Sequence, residues 1–302
     1  MTVTHGPVVI RRRLGWVLKK LRMDQGRQLG EVAKMLEVSP SKLSRIETGH
    51  VEPKFRDVRD LLEIYDADTE TRERALDWAQ QAKSPGWWAR LGPASSGVDL
   101  NMLISLESEA RTKRMFSIPI AGLLQTEAYA RDLLTRVFTQ REDDSEIDRM
   151  VEIRMGRQNV IEPDRADAPP LVLHVLMDEV ALYRCADPTI MRGQIETLLR
   201  RREQDNVLLQ IVPFRAGWTN ATSTFSIFDP RDTESDWRVV NVEGTANDVF
   251  VDSEQTIADY ERIWSELLEL AQSPEESQET LERALAATKI NGEASRGRTP
   301  RP

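Results

Sequence analysis

The sequence is poor in cysteine and histidine, the residues that most often build disulfides and metal sites. Its single cysteine, Cys185, cannot form an intramolecular disulfide, and its three histidines do not stand at the spacing of metal ligands. We therefore expect a reducing compartment, no disulfide framework and no metal. Cys185 is interpreted as a small buried apolar residue, with a reactive sensing thiol as the alternative.

The sequence also lacks long hydrophobic runs and the signatures of common enzymes. It has no apolar stretch long enough to span a membrane, no signal-peptide segment, and no P-loop, nucleophile elbow, HExxH motif or dinucleotide fingerprint. The nearest approach to an acid–base site is His174 with Asp178 and Glu179. Alternation along residues 171–176 indicates instead that His174 packs within a strand, and Asp178 suits a helix N-cap. We predict a cytoplasmic protein that is not an enzyme, needs no cofactor and has no membrane partner.

Charge is divided unevenly along the chain. The sequence has 41 Lys and Arg against 50 Asp and Glu, a net charge of −9, yet residues 1–60 hold 13 basic and 7 acidic residues. The remainder holds 28 basic and 43 acidic residues. Such asymmetry points to nucleic acid at the basic end, and the length of 302 residues suggests two domains.

Residues 28–49, QLGEVAKMLEVSPSKLSRIETG, have the pattern of two short helices joined by a tight turn. Glu37–Val38 forms the predicted turn, Ser39 is a good N-cap, and Pro40 suits the first position of the second helix. The first helix has apolar residues at the i, i+3, i+4 and i+7 positions of one helical face. These residues are Leu29, Val32, Ala33 and Leu36.

The second helix carries the functional prediction. Leu43 and Ile46 share one side, whereas the opposite side is polar and basic and has no acidic residue. Arginine binds guanine bidentately, serine and threonine meet base edges, and lysine neutralises phosphate, so this side suits a DNA major groove. The alternative is a solvated helix in an ordinary helical hairpin. We predict base contacts from Pro40, Ser41, Ser44, Arg45 and Thr48, and phosphate contacts from Arg12, Gln28, Ser39, Lys42 and Lys54.

Residues 12–66 resemble the Xre/Cro-type helix-turn-helix domain of the lambda-repressor-like class. The likeness is carried by LKKLR at 18–22, by the small Ala33 and by VSPSKLSRIETG at 38–49. The resemblance implies a compact helical domain in which the second helix of the helix-turn-helix motif binds operator DNA.

Two further positions are interpreted through this resemblance. In domains of this kind, the positions of Arg22 and Glu47 form a salt bridge that holds the helices at their angle, so both are expected to be structural. Glu37 departs from the pattern, because the turn of the family usually holds glycine. A left-handed backbone at Glu37 would cost about 1 kcal/mol.

A boundary follows the first domain. Two further helices are predicted over 54–65 and 69–83, after which SPGWWARLGPASSG at 84–97 breaks the periodicity. Trp87 and Trp88 are interpreted as packing onto a neighbouring domain, with an exposed ligand platform as the alternative. The predicted organisation is a flexible N-terminus (1–11), a helix-turn-helix domain (12–83), a linker (84–97), a C-terminal regulatory and dimerisation domain (98–287) and a disordered tail (288–302).

Beyond the boundary the pattern mixes helical periodicity with runs of β-branched and aromatic residues. The predicted fold class is therefore an all-α N-terminal helix-turn-helix domain plus an α+β C-terminal domain with a small sheet carrying helices. Strands are predicted at 171–176, 207–214, 223–229, 237–243 and 248–251, and helices at 101–116, 124–137, 142–160, 178–183, 188–203, 254–270 and 274–287.

The second part of the chain also resembles a family. The likeness rests on IAGLLQTEAYARDLL at 120–134, EIRMGRQ at 152–158, LHVLMDEVALY at 173–183, QIVPFRAG at 210–217 and SPEESQETL at 273–281. These segments are similar to the C-terminal domain of the WhiJ-type regulators of actinobacteria, which follows an Xre-type helix-turn-helix. The resemblance implies a transcriptional regulator, often encoded beside a small partner protein and sometimes described as antitoxin-like.

The loop PFRAGWTNAT at 213–222 is the predicted contact region of this domain. Arg215, Trp218 and Asn220 are interpreted as the rim of a surface for a protein partner or a small-molecule effector, with an ordinary hairpin loop as the alternative. We predict a dimeric, nucleoid-associated transcriptional regulator controlled through this domain. The alternative is an antitoxin-like interaction protein that binds and neutralises a small partner protein.

Overall fold

The computed structural model describes residues 7–49, 51–82, 87–88, 100–138, 143–165, 168–185, 187–231, 238–244 and 247–296. The chain divides into two compact units. The first unit comprises Met1–Gly92, Asp99–Glu109 and Pro230–Trp237, and the second comprises Pro93–Val98, Ala110–Asp229 and Arg238–Pro302. The first is all-α and the second is α+β, which confirms the predicted fold class.

The first unit is built from six described helices. α1 packs against α3, α5 and α6, and α2 packs against α3. Their apolar faces meet in one core, which includes Leu14, Leu18, Val32, Ala33, Leu43, Ile46, Val58, Leu61, Leu62, Tyr65, Ala75 and Ala79. The helices are α1 (Pro7–Asp24), α2 (Leu29–Met35), α3 (Pro40–Glu47), α4 (Phe55–Ile64), α5 (Thr69–Gln81) and α6 (Leu100–Glu109).

Helix α1 begins before the predicted start of the helix-turn-helix domain at residue 12. It starts at Pro7, within the predicted N-terminal segment 1–11, while residues 1–6 lie outside the described residues. Proline suits the start of a helix, because its φ is already helical and its missing amide is not needed there. The side chain of Ile10 is buried, which ties this first part of α1 to the protein.

Of the predicted linker, Trp87 and Trp88 fall within the described residues. Trp88 is buried, and its indole Nε1 donates a hydrogen bond to Asn101 Oδ1 at 2.6 Å. Trp87 meets the Trp88 ring edge-on, with the ring centroids 5.9 Å apart, and is partly exposed. Trp88 therefore packs inside the first unit, where its one polar atom is satisfied.

The turn between α2 and α3 contains a strained residue. Glu37 is exposed and has φ +55, in the left-handed region that favours glycine. Glu37→Gly is therefore expected to stabilise the protein by about 1 kcal/mol. Urea unfolding measures the change, and the same substitution at Glu73, exposed within α5, is the control. Glu73→Gly should instead cost about 1 kcal/mol, and a loss of stability in both variants would contradict the assignment.

The second unit is a six-stranded mixed sheet with helices. The strand order is β3-β2-β1-β4-β5-β6; β1, β2 and β3 are parallel, and β4, β5 and β6 pair antiparallel. The strands are β1 (Ala110–Ser117), β2 (Val172–Asp178), β3 (Val207–Val212), β4 (Phe225–Pro230), β5 (Val239–Val242) and β6 (Val249–Val251). The helices are α7 (Glu127–Phe138), α8 (Asp144–Arg157), α9 (Pro188–Arg201), α10 (Glu254–Leu270) and α11 (Pro274–Arg296).

Strand β1 corrects the largest error of the sequence prediction. A helix was expected over 101–116, because Glu, Ala, Arg, Lys and Met favour helices, but α6 ends at Glu109 and a strand follows. The strand lies between β2 and β4, so its backbone hydrogen bonds are satisfied by two neighbours. Its charged Arg114 is neutralised by Glu261 at 2.6 Å and Asp229 at 3.2 Å. Tertiary pairing thus overrides local propensity.

One face of the sheet is covered by α10 and is apolar where the two meet. Phe116 of β1, Leu176 of β2 and Phe225 of β4 are fully buried there and pack against Trp264 and Leu267 of α10. This contact forms one hydrophobic core cluster of the second unit.

Helix α11 is longer than predicted. It extends from Pro274 to Arg296, into the predicted tail, and residues 297–302 lie outside the described residues. The run LERALAATK at 281–289 is rich in strong helix formers, and a helix that is already formed propagates easily through such a sequence. Among the described helices, none combines the length and the apolarity that crossing a membrane requires.

Candidate nucleic-acid interface

Helix α3 is fixed to the first unit by its apolar side and by its cap. Leu43 and Ile46 are buried in the core. Ser39 Oγ accepts a hydrogen bond from the amide of Lys42 at 3.1 Å, and Pro40, which is exposed, occupies the first turn. These contacts satisfy a free amide at the helix start and leave the opposite side of α3 facing outward.

Two glycines, to which the sequence prediction gave no role, let α1 come close to α3. A Cβ on Gly15 would lie 2.5 Å from the carbonyl oxygen of Ile46, closer than real side chains come. Gly49 follows α3 with φ +69, and a Cβ there would lie 2.6 Å from Cα of Arg12. A glycine inside the apolar face of a helix is the signal by which Gly15 could have been found.

The outward side of α3 carries the residues predicted to meet base edges. Ser41, Arg45 and Thr48 are exposed, and Ser44 is half-buried. The hydroxyl of Thr48 donates to the carbonyl of Ser44 at 2.8 Å. Within the described part of the chain the Arg45 side chain makes no hydrogen bond or ion pair, so its guanidinium donors face solvent.

Lys42 has a partner within the protein. Its Nζ lies 2.6 Å from Oδ2 of Asp57 on α4, and both side chains are partly buried. The ion pair links α3 to α4. A phosphate contact by Lys42 therefore has to compete with Asp57.

The other predicted phosphate contacts differ in their surroundings. Gln28 and Lys54 are exposed N-cap residues of α2 and α4 whose side chains make no capping hydrogen bond. Ser39 is exposed, but its hydroxyl oxygen already caps α3. Arg12 is half-buried on α1 beside Gly49 and interacts within the chain. Gln28 and Lys54 are therefore the better placed of the four.

Arg22 and Glu47 form a bidentate ion pair. Arg22 Nε and Nη2 donate to the two carboxylate oxygens of Glu47 at 2.7 and 2.9 Å, and Nη1 donates to the carbonyl of Arg27 at 2.9 Å. The side chains are 12% and 3% exposed, respectively. The pair therefore lies inside the first unit, between α1 and the inner side of α3.

The predicted rim of the second unit is a surface loop. Trp218 is fully exposed, beside Gly217 with φ +70. The Asn220 amide donates to Glu266, and Arg215 is exposed, 3.9 Å from the Glu276 carboxylate. The loop thus presents one indole to solvent between polar groups.

Two aromatic residues that the sequence analysis did not select lie at the same end of the sheet. Phe214 directly follows the β3 segment and Tyr183 ends the helical turn after β2, and both are exposed. Their ring centroids are 5.8 Å apart. We define the aromatic rim as Tyr183, Phe214 and Trp218. Exposed aromatic clusters of this kind are enriched at protein interfaces.

His174 packs within β2, as the alternation predicted. Its Nε2 lies 2.8 Å from Gln210 Oε1, while the Gln210 Nε2 donates to the carbonyl of Gln272 at 2.8 Å. The amide oxygen therefore faces the imidazole, so Nε2 is the protonated nitrogen. The ring lies edge-on to Trp264, at 4.9 Å between centroids. Asp178 accepts the amide of Val180 at 2.8 Å and caps the following turn.

His174 makes the stability of the second unit depend on pH. Burial lowers its pKa below the ordinary value of 6.5, although the hydrogen bond of Gln210 opposes the shift. The unfolded chain therefore binds the proton more readily, and the stability of the neutral form is lost as the pH falls from 6.5 through the folded pKa. We expect His174→Gln to lose less stability than the wild type between about pH 7 and about pH 5.

Urea unfolding at the two pH values measures the difference. The other ionisable groups titrate in both proteins, so their contributions to the loss of stability cancel when the two proteins are compared. Equal losses in the wild type and in His174→Gln would show that His174 does not carry this dependence.

Cys185 is half-buried rather than part of the core. Burial raises its pKa, and the nearby carboxylates of Asp132 and Asp187 act in the same direction. A raised pKa keeps the sulfur as the less reactive thiol. These surroundings disfavour the alternative of a reactive sensing cysteine.

Comparison with protein families assigns both parts of the chain. Residues 13–75 match a family model described as a helix-turn-helix domain. Residues 100–283, more than half of the chain, match a domain of unknown function (DUF5753). The chain belongs to the DUF5753 family. The DUF5753 match begins at the start of α6 and covers all six strands.

The helix-turn-helix match contains α2, the turn and α3. It confirms the coarse part of the sequence prediction, because such a domain points to DNA binding and transcription regulation. Neither a curated protein nor a solved structure matches the chain.

Proposed function

We propose that the protein is a sequence-specific transcriptional regulator that inserts α3 into the major groove of operator DNA. The observation that carries the proposal is the outward side of α3, where exposed Arg45 and Ser41 lie opposite the buried Leu43 and Ile46. A helix held by one apolar side and presenting short polar and guanidinium groups on the other suits direct readout.

Each residue of the interface is given a role in this proposal. Arg45 reads guanine, with Ser41, Ser44, Thr48 and Pro40 at neighbouring base edges. Gln28 and Lys54 bind phosphates, joined by Ser39, Lys42 and Arg12 where their internal contacts allow. Arg22 and Glu47 are structural, because their charged groups already satisfy each other inside the unit.

We also retain the finer family assignment as a proposal. The VSPSKLSRIETG segment supports the Xre/Cro type, and the five C-terminal segments named above support a WhiJ-type regulator. With these assignments the protein acts on the nucleoid, in the cytoplasm, without catalysis by its second unit.

DNA readout by this domain calls for a dimer. One helix-turn-helix reads a few base pairs, so specificity normally takes two copies on half-sites one helical turn, about 34 Å, apart. We expect the full-length protein to be a dimer at micromolar concentration in light scattering coupled to size exclusion. A monomer at tens of micromolar, in a sample that binds its operator as a single copy, would overturn this part of the proposal.

An antitoxin-like role is the second candidate, and the aromatic rim favours it. Tyr183, Phe214 and Trp218 expose apolar surface that a small partner protein would cover. In this case the partner controls the regulator or is neutralised by it. Binding to DNA in the absence of any partner supports the transcriptional regulator, whereas binding to DNA that requires the complex with a partner supports the antitoxin-like role.

The experiment that tests the main proposal is footprinting of the purified full-length protein on the DNA upstream of its own gene. Protection of a short, two-fold symmetric site that disappears in Arg45→Ala is expected. Uniform, unspecific protection by both proteins would count against sequence-specific readout by α3.

A further inference from the structure

Helix α6 is part of the first unit, although the DUF5753 match begins with it. It packs against α1, as α5 does, and Asn101 near its start accepts the hydrogen bond of the buried Trp88. Every residue from Met102 to Glu107 is buried. A helix of this length depends on packing rather than on its own propensity, so α6 is held in place by the elements around it.

α6 and the sheet follow each other without a linker. α6 ends at Glu109 and β1 begins at Ala110, and the chain passes from the first unit to the second between these two residues. One planar peptide bond therefore joins a helix packed on α1 to a strand that is paired on both sides. A displacement of the start of β1 has to be followed by the end of α6, because no flexible segment lies between them to absorb it.

Two further crossings between the units lie at the same end of the sheet. One follows Asp229 at the end of β4, and the other precedes Arg238, directly ahead of β5. The Thr112 hydroxyl of β1 donates to Asp229, and the end of β4 pairs with the start of β5 through Phe228 and Val239. β1, β4 and β5 are neighbours in the sheet, so all three crossings lie at one end of its central strands.

Charged side chains join these three strand ends. Arg114 of β1 donates to both carboxylate oxygens of Glu261 on α10 at 2.6 Å, and it lies 3.2 Å from the Asp229 carboxylate. Arg238 lies 3.1 Å from Asp229 and 3.5 Å from Glu261. We define the ion cluster as Arg114, Asp229, Arg238 and Glu261. Two arginines shared by two carboxylates form a network, which is stronger than separate surface pairs.

We propose that the ion cluster is the element through which the second unit acts on the first unit, which carries α3. By fixing the adjoining ends of β1, β4 and β5, the cluster fixes the end of α6 that continues into β1. A change in the sheet that loosens the cluster is transmitted along β1 to α6 and, through the packing of α6, to α1. The inference rests on the proposed function for its purpose, the control of DNA binding, but its first test needs no DNA.

Arg114 is the central member of the ion cluster. Without it, Asp229 and Glu261 share Arg238 as the remaining cation of the cluster, and the side chain of Arg238 is 47% exposed. Two partly buried carboxylates beside one solvent-screened cation repel each other, so the strand ends should open more often. The opening should extend into the last turn of α6, because that turn continues directly into β1.

The first test is hydrogen–deuterium exchange of the full-length protein, followed by mass spectrometry. Arg114→Met is expected to speed amide exchange at the start of β1 and in residues 104–109 of α6 by about fivefold or more. Arg201→Met is the matched control, because Arg201 is a partly buried arginine of the same unit, 2.7 Å from Glu162. It lies at the end of α9 and should leave the exchange of α6 as in the wild type.

The pattern of exchange separates coupling from a general loss of stability. In Arg114→Met the exchange of α9 and α11 should remain as in the wild type. Unchanged exchange of α6, equal acceleration of α6 in the Arg201→Met control, or equal acceleration of α6 and α9 in Arg114→Met would each overturn the proposal. Arg238→Gln, which keeps the 2.6 Å pair of Arg114 and Glu261, is the milder variant if Arg114→Met does not fold. It should show the same pattern at about twofold.

The second test measures binding to the operator found by footprinting. Arg114→Met is expected to lower operator affinity about fivefold, whereas Arg201→Met should bind as the wild type does. Unchanged affinity in Arg114→Met, together with faster exchange of α6, would overturn the role of the ion cluster in control. A wild-type protein that binds no operator would overturn the proposed function, while the exchange pattern would still support the coupling between the sheet and α6.

Discussion

Arg22→Ala is expected to destabilise the first unit by about 2–4 kcal/mol. The substitution leaves the Glu47 carboxylate, whose side chain is 3% exposed, without the two hydrogen bonds at 2.7 and 2.9 Å that now satisfy it. A buried and unpaired carboxylate is among the most costly defects a small domain can carry. Thermal unfolding of the full-length protein should show a transition lowered by roughly 10 °C or more.

Two controls separate the structural role of Arg22 from a role in DNA binding. Arg74→Ala removes an exposed arginine 3.8 Å from Glu70 and should change stability by less than about 0.5 kcal/mol. The double variant Arg22→Met with Glu47→Leu replaces both charges by apolar groups of similar size, and should recover most of the stability and of the DNA affinity. An Arg22→Ala protein that melts normally yet fails to bind DNA would show that Arg22 belongs to the interface.

Arg45→Ala is expected to reduce the ratio of operator to random-DNA affinity, at unchanged stability. Arg45 is exposed on α3 and its guanidinium makes no hydrogen bond or ion pair within the described residues, so its removal leaves no buried group unpaired. Losing a bidentate contact to guanine costs about 1–3 kcal/mol per half-site, a roughly 5- to 150-fold loss of discrimination. Titration of operator DNA and random DNA with each protein at several salt concentrations measures the ratio of the two affinities.

Lys54→Ala provides the matched comparison for Arg45→Ala. Lys54 is exposed at the start of α4, so its loss should weaken binding to operator and to random DNA alike. The dependence of log affinity on log salt concentration should become less steep by about one, and the operator-to-random ratio should be preserved. Lys42→Ala is less suitable, because it also frees Asp57 from its 2.6 Å ion pair. If Arg45→Ala keeps the operator-to-random ratio and Lys54→Ala changes it, α3 does not read the bases.

The local features of the candidate interface followed from the sequence. Ser39 and Pro40 begin α3, and Leu43 and Ile46 face the core, because capping and helical faces depend on residues within about four positions. The runs of β-branched residues likewise located β2 to β6 to within a few residues. The expected ion pair between Arg22 and Glu47 came from the family resemblance, because no local pattern connects two residues so far apart in the sequence.

Features that join distant parts of the chain were not predictable in this way. Gly15 matters through the carbonyl of Ile46, Lys42 is engaged by Asp57, and the aromatic rim joins the segments after β2 and β3. Each of these depends on two segments whose contact is created by folding.

The sequence by itself determined the helix-turn-helix, the outward polar side of α3 and the α+β class of the second unit, because these depend on short-range periodicity and composition. The tertiary structure alone decided that residues 110–117 form a central strand and that Arg114, Asp229 and Glu261 meet at one end of it. Strand pairing supplies backbone hydrogen bonds that outweigh a local helical preference, and sheet register brings together side chains that lie far apart in the chain.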